Sequence, residues 1–294
     1  MGAPARCAEL SNQDMSTQSV TAPLIAPVAR VDRQVDYVKV RNWLLDALTV
    51  SSGAVDAVSF LALGKVFTAF VTGNVAFLGM AIASTTGSTI YGVVAPRIIW
   101  VLASLAGFAG GIYLATKIVK PSRQPASHKG EQPNGVVWPH RTTLALGLSL
   151  LAHLCFVLIW FATSARPGDN VIPVLLAAWA LAMGMQSAAV RNLNVGGIFT
   201  TAATATFIFL FGALANGVPL TGDERRRMRG VLVSLAIGAT AGGLLLIHAP
   251  IYAPVLPFVI TIGVVVTATS AFRYRNEIQG SRVKIQLAAD ARVA

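Results

Sequence analysis

This chain is poor in charge. Only 12% of its 294 residues are Asp, Glu, Lys or Arg, where a soluble domain carries roughly a quarter, so an ordinary soluble globule is excluded. Cysteine is down to Cys7, in a polar N-terminal stretch, and Cys155, in an apolar one. A disulfide framework is therefore not expected, and the redox compartment is unmarked. HExxH, paired CxxC, Walker A and GxSxG patterns are all missing. Nothing points to a metal, a cofactor or an enzyme. A signal peptide is also lacking: residues 1–41 are polar, and their one apolar patch, 22–29, is broken by Pro23 and Pro27. The net charge of +11 invites a nucleic-acid partner, but the basic residues are scattered at the ends of apolar stretches and no nucleic-acid-binding motif accompanies them. The expected partner is a lipid bilayer, with Lys and Arg marking orientation.

What is present is apolar sequence, 54% of the chain. Eight segments bounded by charge, proline and glycine can be read: 44–64, 68–84, 98–119, 142–163, 171–191, 200–215, 230–249 and 254–272. The expected fold is an all-α polytopic membrane protein of about eight membrane segments in two homologous halves. Two segments are short. At 1.5 Å per residue, 68–84 reaches about 26 Å, against a hydrocarbon core of roughly 30 Å. The organisation expected is a polar, disordered arm (1–42), a first membrane half (43–163), a second (164–272) and a basic tail (273–294).

The halves rest on an internal match. Residues 66–115 align without a gap to 198–247, with fourteen identities in fifty positions. They include Thr68/Thr200, Thr72/Thr204, Arg97/Arg229, Gly110/Gly242 and Gly111/Gly243, polar and glycine positions that apolar composition alone would not align. Duplication in an apolar chain is a pointer to transporter-like architecture with a site where the repeats meet. With eight spans, sixteen Lys and Arg lie on the side of the termini and seven on the other. That balance places both termini in the cytoplasm. It also puts Lys117, Lys120, Arg123, Lys129 and Arg141 outside, against the trend. Four segments per half favour a parallel duplication, whereas a re-entrant short segment makes the count odd and inverts the halves.

Polar groups inside apolar segments are the candidate site. Asp56 lies past the middle of the first span, where a carboxylate costs about 2.5–3.5 kcal/mol on insertion scales. Thr49, Ser52, Asp56 and Ser59 share one helical face, with Gly53 beside them. Such a stripe serves a pathway or relay, or else locks helices together. Thr68, Thr72, Gly73 and Asn74 follow the Gly64–Lys65 break, and Thr200, Thr201, Thr204 and Thr206 stand in the corresponding stretch. A helix start in the membrane offers unpaired N–H groups and partial positive charge to a solute; capping and close packing are the alternative. Gln186 takes the place of Asp56 in the fifth span, after a two-residue adjustment. Gly107, Gly110 and Gly111 with Gly238, Gly242 and Gly243 are read as packing spans three and seven together. His153, alone in span four, is read as a helix–helix hydrogen bond rather than a ligand. The run from Asp223 to Arg229 is read as a topological signal.

Gly53-Ala-Val-Asp56-Ala-Val-Ser-Phe60, Val66-Phe67 and Thr72-Gly73-Asn74-Val75, then Met183-Gly184-Met185-Gln186, Arg191, Thr200-Thr201 and Thr204-Ala205-Thr206, resemble the YoaK-type integral membrane proteins, domain of unknown function 1275, from about Leu44 to Phe272. The family usually has glycine where Ala205 stands, so a tight backbone turn at positive φ is not expected there. The resemblance implies a multi-pass bacterial inner-membrane protein and carries no activity with it. The functional expectation is a secondary transporter or permease for a small polar or anionic solute, bound between the two breaks, with Asp56 handling a coupling proton. A non-transporting scaffold, assembly factor or sensor is the alternative and a channel the next; a homo-oligomer fits any of them.

Overall fold

Capping chemistry sets where the helices start and stop. The computed structural model describes residues 36–84, 97–119, 138–193, 203–215 and 221–290, and these contain eight α-helices and one 3-10 turn. Helix α1 (Tyr37–Ala62) begins where the Asp36 carboxylate accepts from the N–H groups of Val38 and Lys39, each at 3.2 Å. It ends at Gly64 and Lys65, both left-handed, with φ of 79° and 64°. There the Lys65 N–H reaches back to the Phe60 carbonyl at 3.1 Å. α2 (Val71–Ser84) and α3 (Ile98–Val119) complete the first run. α4 (His140–Ala162) stops at two further left-handed residues, Ser164 and Ala165. α5 (Ile172–Arg191) carries Pro173 in its first turn, where no intrahelical donor is needed. α6 (Ala203–Ala215) follows. α7 (Gly222–His248) opens on a reciprocal capping box between Thr221 and Glu224. A turn at Pro250–Tyr252 then leads into α8 (Val255–Asp290). One boundary differs from the expected span 230–249: the charged run 223–229 forms the first turns of α7, because the capping box starts the helix early. α8 runs on through residues 273–290 of the basic tail.

Among the described residues six helices are long and apolar enough to cross a membrane: α1, α3, α4, α5, α7 and the stretch Pro250–Phe272 that includes the first part of α8. α2 and α6, at 14 and 13 residues, span only about 20 Å. Trp43, Leu151 and Ile247 are 72%, 62% and 70% exposed, apolar surface that suits lipid rather than water.

Two apolar clusters mark the ends of the bundle and give each helix its direction. The first holds Leu45 and Leu48 of α1, Val119 of α3, Leu146 of α4, Val190 of α5, Val231 of α7 and Phe272 of α8. The second holds Val58 and Leu63, Trp100, Trp160, Ile172 and Ala253, with Leu245 and Leu246 against it. So α1, α4 and α7 run from the first end to the second, and α3, α5 and α8 return. α1 leaves and α3 enters at the second end; α5 leaves and α7 enters at the first. α2 and α6 therefore add no net crossing. Each half crosses three times, an odd number, and the second half runs opposite to the first. The helix directions thus differ from the parallel arrangement that counting segments favours, because a short apolar segment adds to a hydropathy count without adding a crossing of the bundle.

Helix pairing follows glycine. α1 packs on α7 and α3 on α5. Gly53 of α1 seats against the backbone of Leu235 and Ala239, while Gly238 and Gly242 seat against Val50 and Ala54. On the other side Gly184 of α5 meets Phe108 and Ile112, and Gly107 and Gly111 meet Ala177 and Leu181. A Cβ at any of these six would collide with a neighbouring backbone. Without water to drive association, such van der Waals contact between backbones is what joins membrane helices. The expected pairing of spans three and seven is thus replaced by two separate seams, with Gly53 and Gly184 as the members that sequence reading missed. Gly110 has nothing within 4 Å of its Cβ position, and Gly243 meets only the Leu61 side chain at 3.9 Å.

Candidate functional site: the break between α1 and α2

The seam glycines place Asp56. One turn beyond Gly53, its carboxylate projects where the chain, having left α1, turns back along it. Gly64 permits that reversal: its positive φ suits glycine, and a Cβ there would strike the Trp100 ring. The returning strand brings the Thr68 and Ala69 N–H groups onto Asp56 Oδ1, at 3.0 and 2.8 Å. The Thr68 hydroxyl and the Phe70 N–H lie beside the same carboxylate. Asp56 is six residues from the end of α1, so residues 66–70 reach about 9 Å inward from that end. The carboxylate thus takes the place an external anion would occupy at the start of α2.

Asn74 holds the same strand from the other side. Its Oδ1 accepts from the Phe67 N–H at 3.0 Å, and its Nδ2 donates to the Phe67 carbonyl at 2.6 Å, so one amide satisfies both polar groups of a single residue. Ser104 of α3 donates to that carbonyl at 2.7 Å and accepts from Asn74 Nδ2 at 3.1 Å. Phe67 is stacked on Phe60 at 4.7 Å and on Phe77 at 5.8 Å, and the Lys65 ammonium lies 5.4 Å from the Phe60 ring. Gly73 leaves room for Phe70, whose ring would stand 2.6 Å from a Cβ. Thr68 is buried, whereas Thr72 is exposed. Ser104 is the member sequence reading missed; a lone serine in an apolar helix gives no periodic signal.

The second half is built differently. Matching the glycine seams pairs Gly53 with Gly184, an offset of 131 (184 − 53), so the counterpart of Asp56 is Ser187 rather than Gln186. The Ser187 hydroxyl donates to the Met183 carbonyl at 2.8 Å. Gln186 instead reaches across the bundle and donates from Nε2 to the Leu48 carbonyl of α1 at 3.1 Å. Its Oε1, and the Ser52 hydroxyl one turn on from Leu48, are buried without partners. Ser59 donates to the Asp56 carbonyl and Thr49 to that of Leu45, so two of the four polar residues of the α1 stripe are satisfied within their own helix. His153 lies with Nδ1 3.1 Å from the Ser149 carbonyl in its own helix, and its Nε2 is buried and unpartnered. Thr204 is exposed and Thr206 buried; Thr200 and Thr201 lie outside the described residues, as does most of the arm 1–42. Among the described residues no group of three His, Cys, Asp or Glu is placed to hold a metal ion.

Residues 44–267 match the family model described as "Protein of unknown function (DUF1275)". The chain is 30% identical over 198 residues to the UPF0700 transmembrane protein YoaK of Bacillus subtilis (strain 168), covering 67% of this chain and 78% of that one. No solved structure matches the chain.

Proposed function

This chain belongs to the DUF1275 family and is an integral membrane protein, and we propose that it works as a secondary transporter or permease for a small polar or anionic solute. The observation that carries the reading is the carboxylate of Asp56 held on the amides of a strand that re-enters the membrane. Ionised, it accepts both N–H groups and keeps the start of α2 against α1. Protonated, it loses the charge that makes such bonds strong. The amides are then open to a solute oxygen, at a helix start that favours negative charge. Solute and proton accordingly enter together, the proton on Asp56 and the solute on the donors it gives up. The reaction is movement, not catalysis.

Two further features support this reading. Two oppositely directed halves with matched seams, together with the fourteen-identity match, fit a duplicated, inverted chain of the kind that rocks around a central site. Among described residues up to Phe272, Lys39, Arg41, Lys117, Arg141, Arg191, Arg225, Arg226, Arg227 and Arg229 belong to the first end, and Lys65, Arg97 and Arg166 to the second. That balance supports placing the first end, with both termini, on the cytoplasmic side of a bacterial inner membrane. Lys117 and Arg141, on the wrong side in an eight-span count, now follow the rule.

The test is solute-driven proton uptake in proteoliposomes. A panel of small carboxylates, phosphate, sulfate and neutral amides is first screened for thermal stabilisation. Hits are then assayed with an internal pH dye for wild type and Asp56→Asn. Acidification in wild type that disappears in a well-folded Asp56→Asn is the expected result; unchanged acidification removes Asp56 from the mechanism. A non-transporting scaffold is the second reading. It is favoured by the way Asn74, Ser104 and Phe67 close on one another, leaving a tied interior. A silent panel together with a protein partner recovered at fixed stoichiometry selects it.

A further inference from the structure

Arg41 of α1 and Arg227 of α7 lie within each other's field at the first end, and among the described residues neither is held in a salt bridge. The register of the α1–α7 seam places them there: Asp46 Oδ1 lies 3.1 Å from the Cβ position of Gly230, and about a turn nearer the end the two helices carry Arg41 and Arg227. The two guanidinium groups repel each other. Both side chains are half-buried, and the Nε of each is buried without a hydrogen-bond partner. Among the described residues neither takes part in an ion pair; those present join Lys39 to Asp36 and Arg97 to Asp169. Glu224 lies within the field of Arg227, but its Oε2 is committed to the Thr221 N–H and hydroxyl at 3.0 and 2.9 Å. The neighbouring Arg225, Arg226 and Arg229 are exposed, as basic residues at a membrane surface ordinarily are. Asn42, next in α1, has an amide oxygen that is also buried and unpartnered.

We propose that Arg41 and Arg227 form a binding site for a phosphate-bearing anion, seated between α1 and α7 at the first end of the bundle. Two planar guanidinium forks, each with five N–H donors, match the oxygens of a phosphate. An anion between them replaces mutual repulsion with charge-assisted hydrogen bonds and clamps α1 to α7 beyond the last glycine contact. The same chemistry is offered by an anionic phospholipid headgroup and by a soluble phosphate. This site lies apart from Asp56 and stands whether or not the chain transports anything.

The experiment uses the full chain in phosphatidylcholine nanodiscs and follows its unfolding temperature in two arms. In one, inorganic phosphate replaces chloride at constant ionic strength. In the other, the discs hold equal parts of phosphatidylcholine and phosphatidylglycerol in phosphate-free buffer. Stabilisation in the first arm identifies a soluble anion and in the second a lipid. In either arm it is expected to be lost in Arg41→Gln and Arg227→Gln, with apparent affinity falling about tenfold, and kept in Arg225→Gln and Arg226→Gln. If both glutamine variants fail to fold, native mass spectrometry of the wild type is decisive, with retained phosphate or phosphatidylglycerol expected. No stabilisation and no retained anion in either arm overturns the proposal, as does equal loss in the Arg225 and Arg226 variants.

Discussion

α1 and α5 meet the same packing demand with the same residue and diverge one turn later. Gly53 and Gly184 each let a partner backbone approach so closely that a Cβ would collide with it. Three residues on, α1 presents a carboxylate that holds a returning strand, and α5 presents Ser187, bonded within its own helix. Close approach of two helices admits one solution, the absence of a Cβ, so that position is alike in both halves. Beyond the seam the constraint lifts and each half carries its own chemistry. Shape is shared between the halves; the ionisable group belongs to one.

The sharpest way to break that comparison is to fill the seams. Gly53→Leu and Gly184→Leu are each expected to cost at or above the ~3 kcal/mol upper end of overpacking, because the colliding atoms are backbone. Loss of monodisperse protein in detergent is the readout. A tolerant Gly184→Leu breaks the equivalence of the seams. Next is the carboxylate. Asp56→Ala leaves the Thr68 and Ala69 N–H groups without their acceptor, and unpaired buried donors cost ~1–3 kcal/mol each, so a fall of about 2–6 kcal/mol is expected. Asp56→Asn keeps an acceptor oxygen and should unfold within a few degrees of wild type. Equal behaviour of the two variants means that the bonds to Asp56 do not hold the strand. Asn74→Ala comes third, at about 2 kcal/mol: the Phe67 N–H is orphaned while its carbonyl keeps Ser104. The smallest effect has the opposite sign. Gly110→Ala meets nothing within 4 Å and should stabilise by about 0.5–1 kcal/mol through helix propensity, which separates seam glycines from those that merely neighbour them.

The spans were legible because a bilayer demands apolar runs of a set length: the expected 98–119 is α3 to the residue, and 171–191 differs from α5 by one. Direction was not legible, since hydropathy has no sign and the fourteen residues of α2 look like a short span. The packing glycines were recognised as such, but their partners lie up to 188 residues away (238 − 50) in a helix that nothing local specifies. Asp56 was singled out by the cost of its depth. The role of Asn74 was missed for a different reason. An amide bonded to its own backbone and one awaiting a solute are spelled the same way, and only the placement of Phe67 tells them apart.

The pairing of α1 with α7 also sets an order of events on the ribosome. α3 and α5 are synthesised close together and can join while the rest of the chain is still being made. α1, first into the bilayer, waits for its partner until almost the whole protein has emerged. During that interval Asp56 has no seam to shelter it. The amides that cover it come from residues 68 and 69, twelve and thirteen positions on, and reach the membrane moments after it does. Asp56 thus has its hydrogen-bond donors close at hand in the sequence, made long before α7.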